Sequence, residues 1–267
     1  MSNSSDRKGK KTALITGASG GIGYELARLF ARDAYNLVLV ARSEDKLAEI
    51  KRDWEKRHGI KVTVITKDLS EPMSPQELFD EVAREGIEVD ALVNNAGFTV
   101  YGKFIETELQ KELEMMQVNM VTLTHLTKLF LPGMVRRGSG RIMNVASTAA
   151  YLPGPLMAVY YATKAYVLSF SEALSSELEG TGVTVTALCP GITETGFQKR
   201  GNMEESKLVA GRSGMDARTV ARIGYKGFME GKPIVVTGLR NLLVVQATRF
   251  TPRALMRRSV KRAQERV

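Results

Sequence analysis

Short runs of β-branched and aliphatic residues alternate along the chain with longer segments whose apolar positions recur every three or four residues. The runs at 12–16, 36–40, 61–66, 91–93, 141–145, 183–188 and 233–236 predict strands. Several are apolar without interruption, the pattern of strands covered on both faces. The segments at 21–33, 43–57, 74–86, 105–136, 157–180 and 216–230 predict helices. Alternation sustained from residue 12 to residue 236 predicts an α/β fold, a doubly wound and mainly parallel seven-stranded sheet with helices on both faces. No linker, repeat or low-complexity tract divides it, so residues 11–238 are expected to form one domain. A polar tail, 1–10, precedes it and an extension, 239–267, follows. Residues 196–215 interrupt the rhythm with a glycine-punctuated segment at the carboxyl end of a strand, where a substrate lid is expected, and Asp216 is placed to cap the next helix.

Composition narrows this picture. The 267 residues are 43% hydrophobic and 25% charged, enough for a well-buried core. The single cysteine, Cys189, has no partner for an internal disulfide, which suits a reducing compartment. No apolar stretch of signal-peptide or membrane-span length is present, so a soluble cytoplasmic protein is the expectation. The net charge of +9 sits at the ends. Arg7, Lys8, Lys10 and Lys11 stand against Asp6, and Arg249, Arg253, Arg257, Arg258, Lys261, Arg262 and Arg266 stand against Glu265. Residues 13–248 are formally neutral, which argues against a nucleic-acid footprint over the whole protein. No Cys/His cluster suggests a metal.

The first strand runs into Thr16-Gly17-Ala18-Ser19-Gly20-Gly21-Ile22-Gly23, and a helix follows. Glycines let the backbone approach a pyrophosphate, and a helix N-terminus supplies free N–H groups with partial positive charge. The plainer reading is a loop whose glycines only permit close helix–sheet packing; its place between the first strand and first helix favours phosphate. Farther on, Tyr160-Tyr161-Ala162-Thr163-Lys164 sets a lysine four residues from one tyrosine and three from another. Helical geometry brings either tyrosine onto the lysine's face. A neighbouring ammonium favours a phenolate and so suits a tyrosine to proton transfer.

The glycine spacing, Thr-Gly-x-x-x-Gly-x-Gly, resembles that of the short-chain dehydrogenase/reductase family. The resemblance extends over residues 10–238 through Asn94-Asn95-Ala96-Gly97, Asn119, Ser147, the Tyr160-x-x-x-Lys164 pair and Pro190-Gly191 followed by Thr195. It implies a Rossmann-like fold and a catalytic set of Asn119, Ser147, Tyr160 and Lys164. Its register selects Tyr160 as the acid/base and leaves Tyr161 to packing or subunit contact. Lys164 would lower the pKa of Tyr160 and bond the nicotinamide ribose, Ser147 would hold the substrate oxygen, and Asn119 would anchor a water between Lys164 and solvent. Cofactor contacts are implied for Gly17, Ser19, Gly21, Ile22 and Gly23 in the first turn, and for Asp68, Leu69, Asn95, Ala96 and Gly97. Pro190, Gly191, Ile192 and Thr195 would hold the carboxamide.

Strand 2 ends with Ala41-Arg42 where an acidic residue would bond a ribose 2′-hydroxyl; a guanidinium there suits a 2′-phosphate instead. NADP(H) is therefore expected over NAD(H). Phe98, Ala149, Leu152, Met157 and Phe197, with Tyr151 and Ile192, are expected around the reacting carbonyl, and Met203, Leu208 and Met215 in the lid. These apolar side chains predict an apolar ketone or aldehyde, or its alcohol. The helices at 105–136 and 157–180 form a dimer interface in many relatives, implying a homodimer or homotetramer. The basic extension reads either as a helix over the active-site rim or a neighbouring subunit, which is favoured, or as an amphipathic anchor on acidic membranes. A non-catalytic NADP-binding regulatory protein is the rival to the enzyme reading.

Overall fold

The structure is a computed structural model and describes residues 9–201, 203, 206–207 and 214–265. Seven strands form the main sheet: β1 (Thr12–Thr16), β2 (Asn36–Ala41), β3 (Val62–Thr66), β4 (Ala91–Asn94), β5 (Gly140–Val145), β6 (Val183–Cys189) and, after two minor strands, β9 (Ile234–Val236). All pairings are parallel and the spatial order is β3-β2-β1-β4-β5-β6-β9. The minor strands, β7 (Thr193–Glu194) and β8 (Met215–Asp216), pair beside the sheet and join the two ends of the lid segment.

Alternate strand residues feed two cores, as the two-residue period of a strand demands. Ala13 and Ile15 of β1 point to one face, where α1 (Gly21–Arg32), α2 (Glu44–His58) and α8 (Ala217–Met229) contribute Phe30, Trp54 and Phe228. Leu14, between them, points to the other face, covered by α3 (Ser74–Arg84), α5 (Leu123–Arg136) and α6 (Ala158–Glu177) through Leu78, Leu126 and Leu174. Burial on both sides explains why these strands are continuously apolar. The order of strands reverses between β1 and β4, and such a switch point opens a crevice at the carboxyl ends of the strands.

The helical segment expected from residue 105 begins at Leu109, because Glu108 is still extended. It is also not one uniform helix. α4 (Leu109–Met116) passes into a π-helical turn, Gln117–Thr122, before α5. Beyond the 3-10 turn Thr148–Tyr151 and α6, a short α7 (Phe197–Arg200) lies in the lid. Among the lid residues named from the sequence, Leu208 lies outside the described residues. The extension forms two helices, α9 (Leu239–Thr248) and α10 (Arg253–Gln264). α10 returns to the crevice, burying Met256 and Gln264, with Val260 packed on the apolar cluster around Tyr160 and Tyr161.

Candidate active site

The crevice is one cleft of about 2270 Å³ that runs from the glycine turn to α10. At its β1 end the backbone of Gly17 and Gly21 adopts φ of 66° and 56°, the left-handed region open to glycine. A Cβ on Gly23 would collide with the Gly17 carbonyl and with Asn95 Nδ2, so the first turn of α1 lies directly against the loop. Gly20 precedes α1 and no side chain caps the helix. The early N–H groups of α1 are thus left for an anion. These residues fit a dinucleotide pyrophosphate.

Gly17, Ser19, Gly21 and Ile22 line the cleft, whereas Gly23 lies behind it as a packing residue. Asn95 lines the wall and also braces the turn: its Nδ2 donates to the Thr16 carbonyl at 2.9 Å and to the Gly17 carbonyl at 3.3 Å. Thr16 Oγ1 accepts from the N–H groups of Asn95 and Ala96, both at 3.0 Å. The asparagine signature after β4 therefore ties the β1 and β4 loops together across the switch point. Gly97 continues the wall with Asn119 close behind it.

Arg42 stands at the far end of the cleft, 71% exposed, with Asp68 Oδ2 3.7 Å from its Nη1. Burial pushes the Asp68 carboxyl up, but hydrogen bonds from Ser70 and the Arg42 guanidinium outweigh this and hold it below its usual value. Leu69 and Lys46 complete this end of the wall. Arg42 is accordingly loosely held and free to turn toward an anion.

At the centre, α6 presents Tyr160 and Lys164 inward, both buried. Ser147 leads the 3-10 turn; its Oγ accepts from the Ala149 N–H at 3.1 Å and donates to the Pro190 carbonyl at 3.4 Å. The same hydroxyl lies near enough to the phenol of Tyr160 to favour its ionised form. Lys164 Nζ donates to the Val145 carbonyl at 2.8 Å and lies 5.7 Å from the centroid of the Tyr160 ring. Lys164 was expected to draw the Tyr160 pKa down. Instead burial raises it, countered in part by Ser147, and the ammonium does not figure among its causes. Burial also lowers Lys164 to about 8. The charged forms of both groups lose their water in this pocket, and that loss dominates.

Asn119 lies in the π turn, a feature frequent at functional sites. Its Nδ2 donates to the Phe98 carbonyl at 3.0 Å and to Thr163 Oγ1 at 3.1 Å, and its Oδ1 accepts from the Phe98 N–H at 3.2 Å. Both amide donors are engaged, so the side chain fixes the 97–98 backbone to α6 and leaves one lone pair of Oδ1 for a solvent bridge. Pro190, Gly191 and Ile192 line the cleft opposite α1. Thr195 Oγ1 accepts from the Phe197 N–H at 3.1 Å, and its methyl side covers Gly21.

Phe98, Ala149, Leu152, Met157 and Phe197 all face the cleft, in one apolar cluster with Tyr160 and Met203. The Tyr160 and Phe197 rings are 5.7 Å apart. Tyr151 does not join them. It belongs to a separate cluster behind β6, where its hydroxyl lies 3.9 Å from Cys189 Sγ, because the 3-10 turn sends residues 149 and 151 to opposite sides. Several supporting residues, Asn144, Ser171, Gln264 and Tyr101, carried no mark in the sequence. Asn94 Nδ2 donates to Asn144 Oδ1 at 2.9 Å and Asn144 Nδ2 to Ser171 Oγ at 2.9 Å, a buried chain locking β4, β5 and α6. Gln264 of α10 is fully buried; its Nε2 donates to the Tyr161 hydroxyl at 2.6 Å, and its carbonyl accepts from the Tyr101 hydroxyl.

Comparison with known proteins agrees with this geometry. The family profile of the short chain dehydrogenases matches residues 11–206. A very-long-chain 3-oxoacyl-CoA reductase of Pyrenophora tritici-repentis is 31% identical over 94% of this chain and 79% of its own. A short-chain dehydrogenase from Sphingobium yanoikuyae, solved in complex with NADPH, superposes with a TM-score of 0.82 at 30% identity, covering 92% of this chain and 95% of that one. One from Burkholderia phymatum, solved in complex with NAD, gives 0.78 at 27% identity over 89% and 92%. By the extent of the family match, the shared Rossmann-like sheet and the length of these alignments, the chain belongs to the short-chain dehydrogenase/reductase family of oxidoreductases.

Proposed function

We propose that the protein is an NADP(H)-dependent oxidoreductase interconverting an apolar ketone or aldehyde and its alcohol. The observation that carries this reading is the convergence of the Ser147 and Tyr160 hydroxyls beside Lys164, in an apolar pocket continuous with an uncapped glycine turn. When bound, the nicotinamide supplies a hydride to the carbonyl carbon or accepts one from the alcohol. Tyr160 gives its phenolic proton to the carbonyl oxygen, or receives it in reverse. Ser147 donates a hydrogen bond to that oxygen and polarises it. Lys164, buried with its Nζ 5.7 Å from the centroid of the Tyr160 ring, holds the nicotinamide ribose hydroxyls.

Asn119 keeps the 97–98 backbone and α6 in register and offers its free lone pair to a water on the way to Lys164. Pro190, Gly191, Ile192 and Thr195 orient the carboxamide. Asp68 and Leu69 flank the adenine, Asn95, Ala96 and Gly97 border its ribose, and Ser19 with Arg42 receives the 2′-phosphate. The preference for NADP(H) rests on Arg42 at the end of β2 with no acidic residue at position 41. The cleft near Tyr160 offers Phe98, Leu152, Met157 and Phe197 and suits an apolar chain, as in the 3-oxoacyl thioester named for the Pyrenophora relative. Exposed Leu109, Leu113 and Val121, with the stacked Tyr166 and Phe170 on α6, favour a homo-oligomer through this face.

The reading is tested by screening ketones, aldehydes and 3-oxoacyl thioesters with NADPH and NADH. Turnover of an apolar carbonyl is expected. Tyr160→Phe should abolish it while leaving cofactor binding intact, and Tyr161→Phe should retain it. Turnover that survives Tyr160→Phe, or that is lost only in Tyr161→Phe, would refute the assignment of roles; absence of turnover with every class would favour a binding protein.

A further inference from the structure

Successive helices α9 and α10 both line the cleft on one side and leave the other side, of different character, turned away from it. Their inner face closes the cleft through Met256, Val260 and Gln264. Their outer face has no partner in the fold. α9 is apolar over most of its circumference, yet among its residues Val245 alone is buried. Leu243 is 62% exposed, Phe250 87% and Leu255 52%, and none of the three lines the cleft. A helix apolar on nearly all sides is normally covered, and exposed apolar clusters of this kind mark interaction surfaces.

The charge on the same two helices indicates what covers that face. From Lys232 to Gln264 the sequence has no acidic residue, while Arg240, Arg249, Arg253, Arg257, Arg258, Lys261 and Arg262 all lie in the extension. No ion pair among the described residues engages Arg253, Arg257, Arg258 or Arg262, and these side chains are exposed. A symmetric pairing with a second copy would set arginines against arginines. A nucleic acid would satisfy the cations but give the leucines and phenylalanine nothing apolar to enter.

We propose that the outer face of α9–α10 docks on an anionic lipid bilayer. Leu242, Leu243, Phe250 and Leu255 enter the boundary between headgroups and acyl chains, and the arginines pair with lipid phosphates. No helix among the described residues is long and apolar enough to cross a membrane, so the contact is superficial. Val244, Ala247 and Thr248 of α9 also line the cleft. Docking therefore brings the cleft beside the lipid, where an apolar carbonyl could be drawn from it; this consequence rests on the reaction proposed above, whereas the docking does not.

Full-length protein is sedimented with phosphatidylcholine vesicles and with phosphatidylcholine–phosphatidylglycerol vesicles. Binding to the anionic vesicles, released by salt, is expected. Arg257→Gln/Arg258→Gln should weaken it roughly 30-fold, taking about five-fold for each cation removed from the surface, and Leu243→Glu/Phe250→Glu should abolish it. Unchanged circular dichroism and Tm verify that both exposed-site variants remain folded. No binding to anionic vesicles, equal binding to both vesicle types, or undiminished binding by both variants would overturn the proposal. A drop in oligomeric mass of Leu243→Glu/Phe250→Glu, with wild type failing to sediment, would assign the surface to a second copy instead. Because no step requires turnover, failure here is distinguishable from failure of the enzyme reading.

Discussion

Lys164→Met should stabilise the cofactor-free protein at neutral pH, and the gain should disappear as pH rises. Lys164 is buried, and burial lowers its pKa from 10.5 to about 8. The unfolded chain therefore holds this proton more tightly than the folded one. Below pH 8 both states are protonated and the folded state bears the whole penalty, ~3 kcal/mol at 1.36 kcal/mol per pKa unit. Between pH 8 and 10.5 the folded lysine is neutral while the unfolded one stays charged, so stability rises with pH; at pH 9.5 about 1 kcal/mol of penalty remains. Methionine fills similar space and never carries the charge. It strands the Val145 carbonyl, which Nζ now bonds at 2.8 Å, at a cost of ~1 kcal/mol at every pH. The advantage of the variant over wild type should thus fall by about 2 kcal/mol from pH 7 to pH 9.5. Urea unfolding of both proteins, followed by circular dichroism at the two pH values, measures this difference, and every other titrating group cancels in the comparison. A gap that does not change with pH would refute the claim that Lys164 is held against its charge.

Arg42→Asp should weaken NADPH binding by 10- to 100-fold, the loss of a charge-assisted contact of ~1.5–3 kcal/mol, while NADH binding holds or improves. The new carboxylate would also face Asp68, which now lies 3.7 Å from the guanidinium. Fluorescence titration with each nucleotide reads the change, and unaltered NADPH affinity would exclude Arg42 as the phosphate contact. Gly23→Ala should lower stability by ~1–3 kcal/mol and weaken both nucleotides together, since its Cβ would strike the Gly17 carbonyl and Asn95; thermal unfolding at wild-type Tm would show that the turn can yield.

The sheet was legible because each strand is buried on both faces and so written as an apolar run, and the glycine turn because only glycine tolerates its backbone. The π turn at Gln117–Thr122 left no trace, since shifting a hydrogen-bond register changes no residue type. The extension was legible as a helix over the active-site rim, the place α10 takes, but its division into α9 and α10 was not, since α9 is apolar around most of its circumference. Within the site, residues carrying chemistry stood in recognisable spacings, but their supports did not. Asn144 and Ser171 meet across 27 positions and Tyr161 and Gln264 across 103, distances at which spacing says nothing. Tyr151 was misplaced because a 3-10 turn, unlike a strand, does not return alternate residues to one side. The direction of the Tyr160 shift was misjudged for a related reason: spacing reveals the neighbouring ammonium, whereas desolvation depends on the whole fold.

The two adjacent tyrosines show how the extension enters the site. Their rings sit edge to face, with centroids 6.0 Å apart, yet their hydroxyls have different partners. That of Tyr160 meets Ser147, inside the cleft and close to Lys164. That of Tyr161 accepts from Gln264, and its ring lies over Gly154, where any Cβ would displace it. Burial pushes the Tyr161 phenol up to about 12, and the hydrogen bond from Gln264 offsets only part of that rise. Gln264 is in turn tied to Tyr101, on the loop that follows β4. Movement of α10 therefore bears on the Tyr161 ring packed against Tyr160, the proposed acid, and couples the extension to that site.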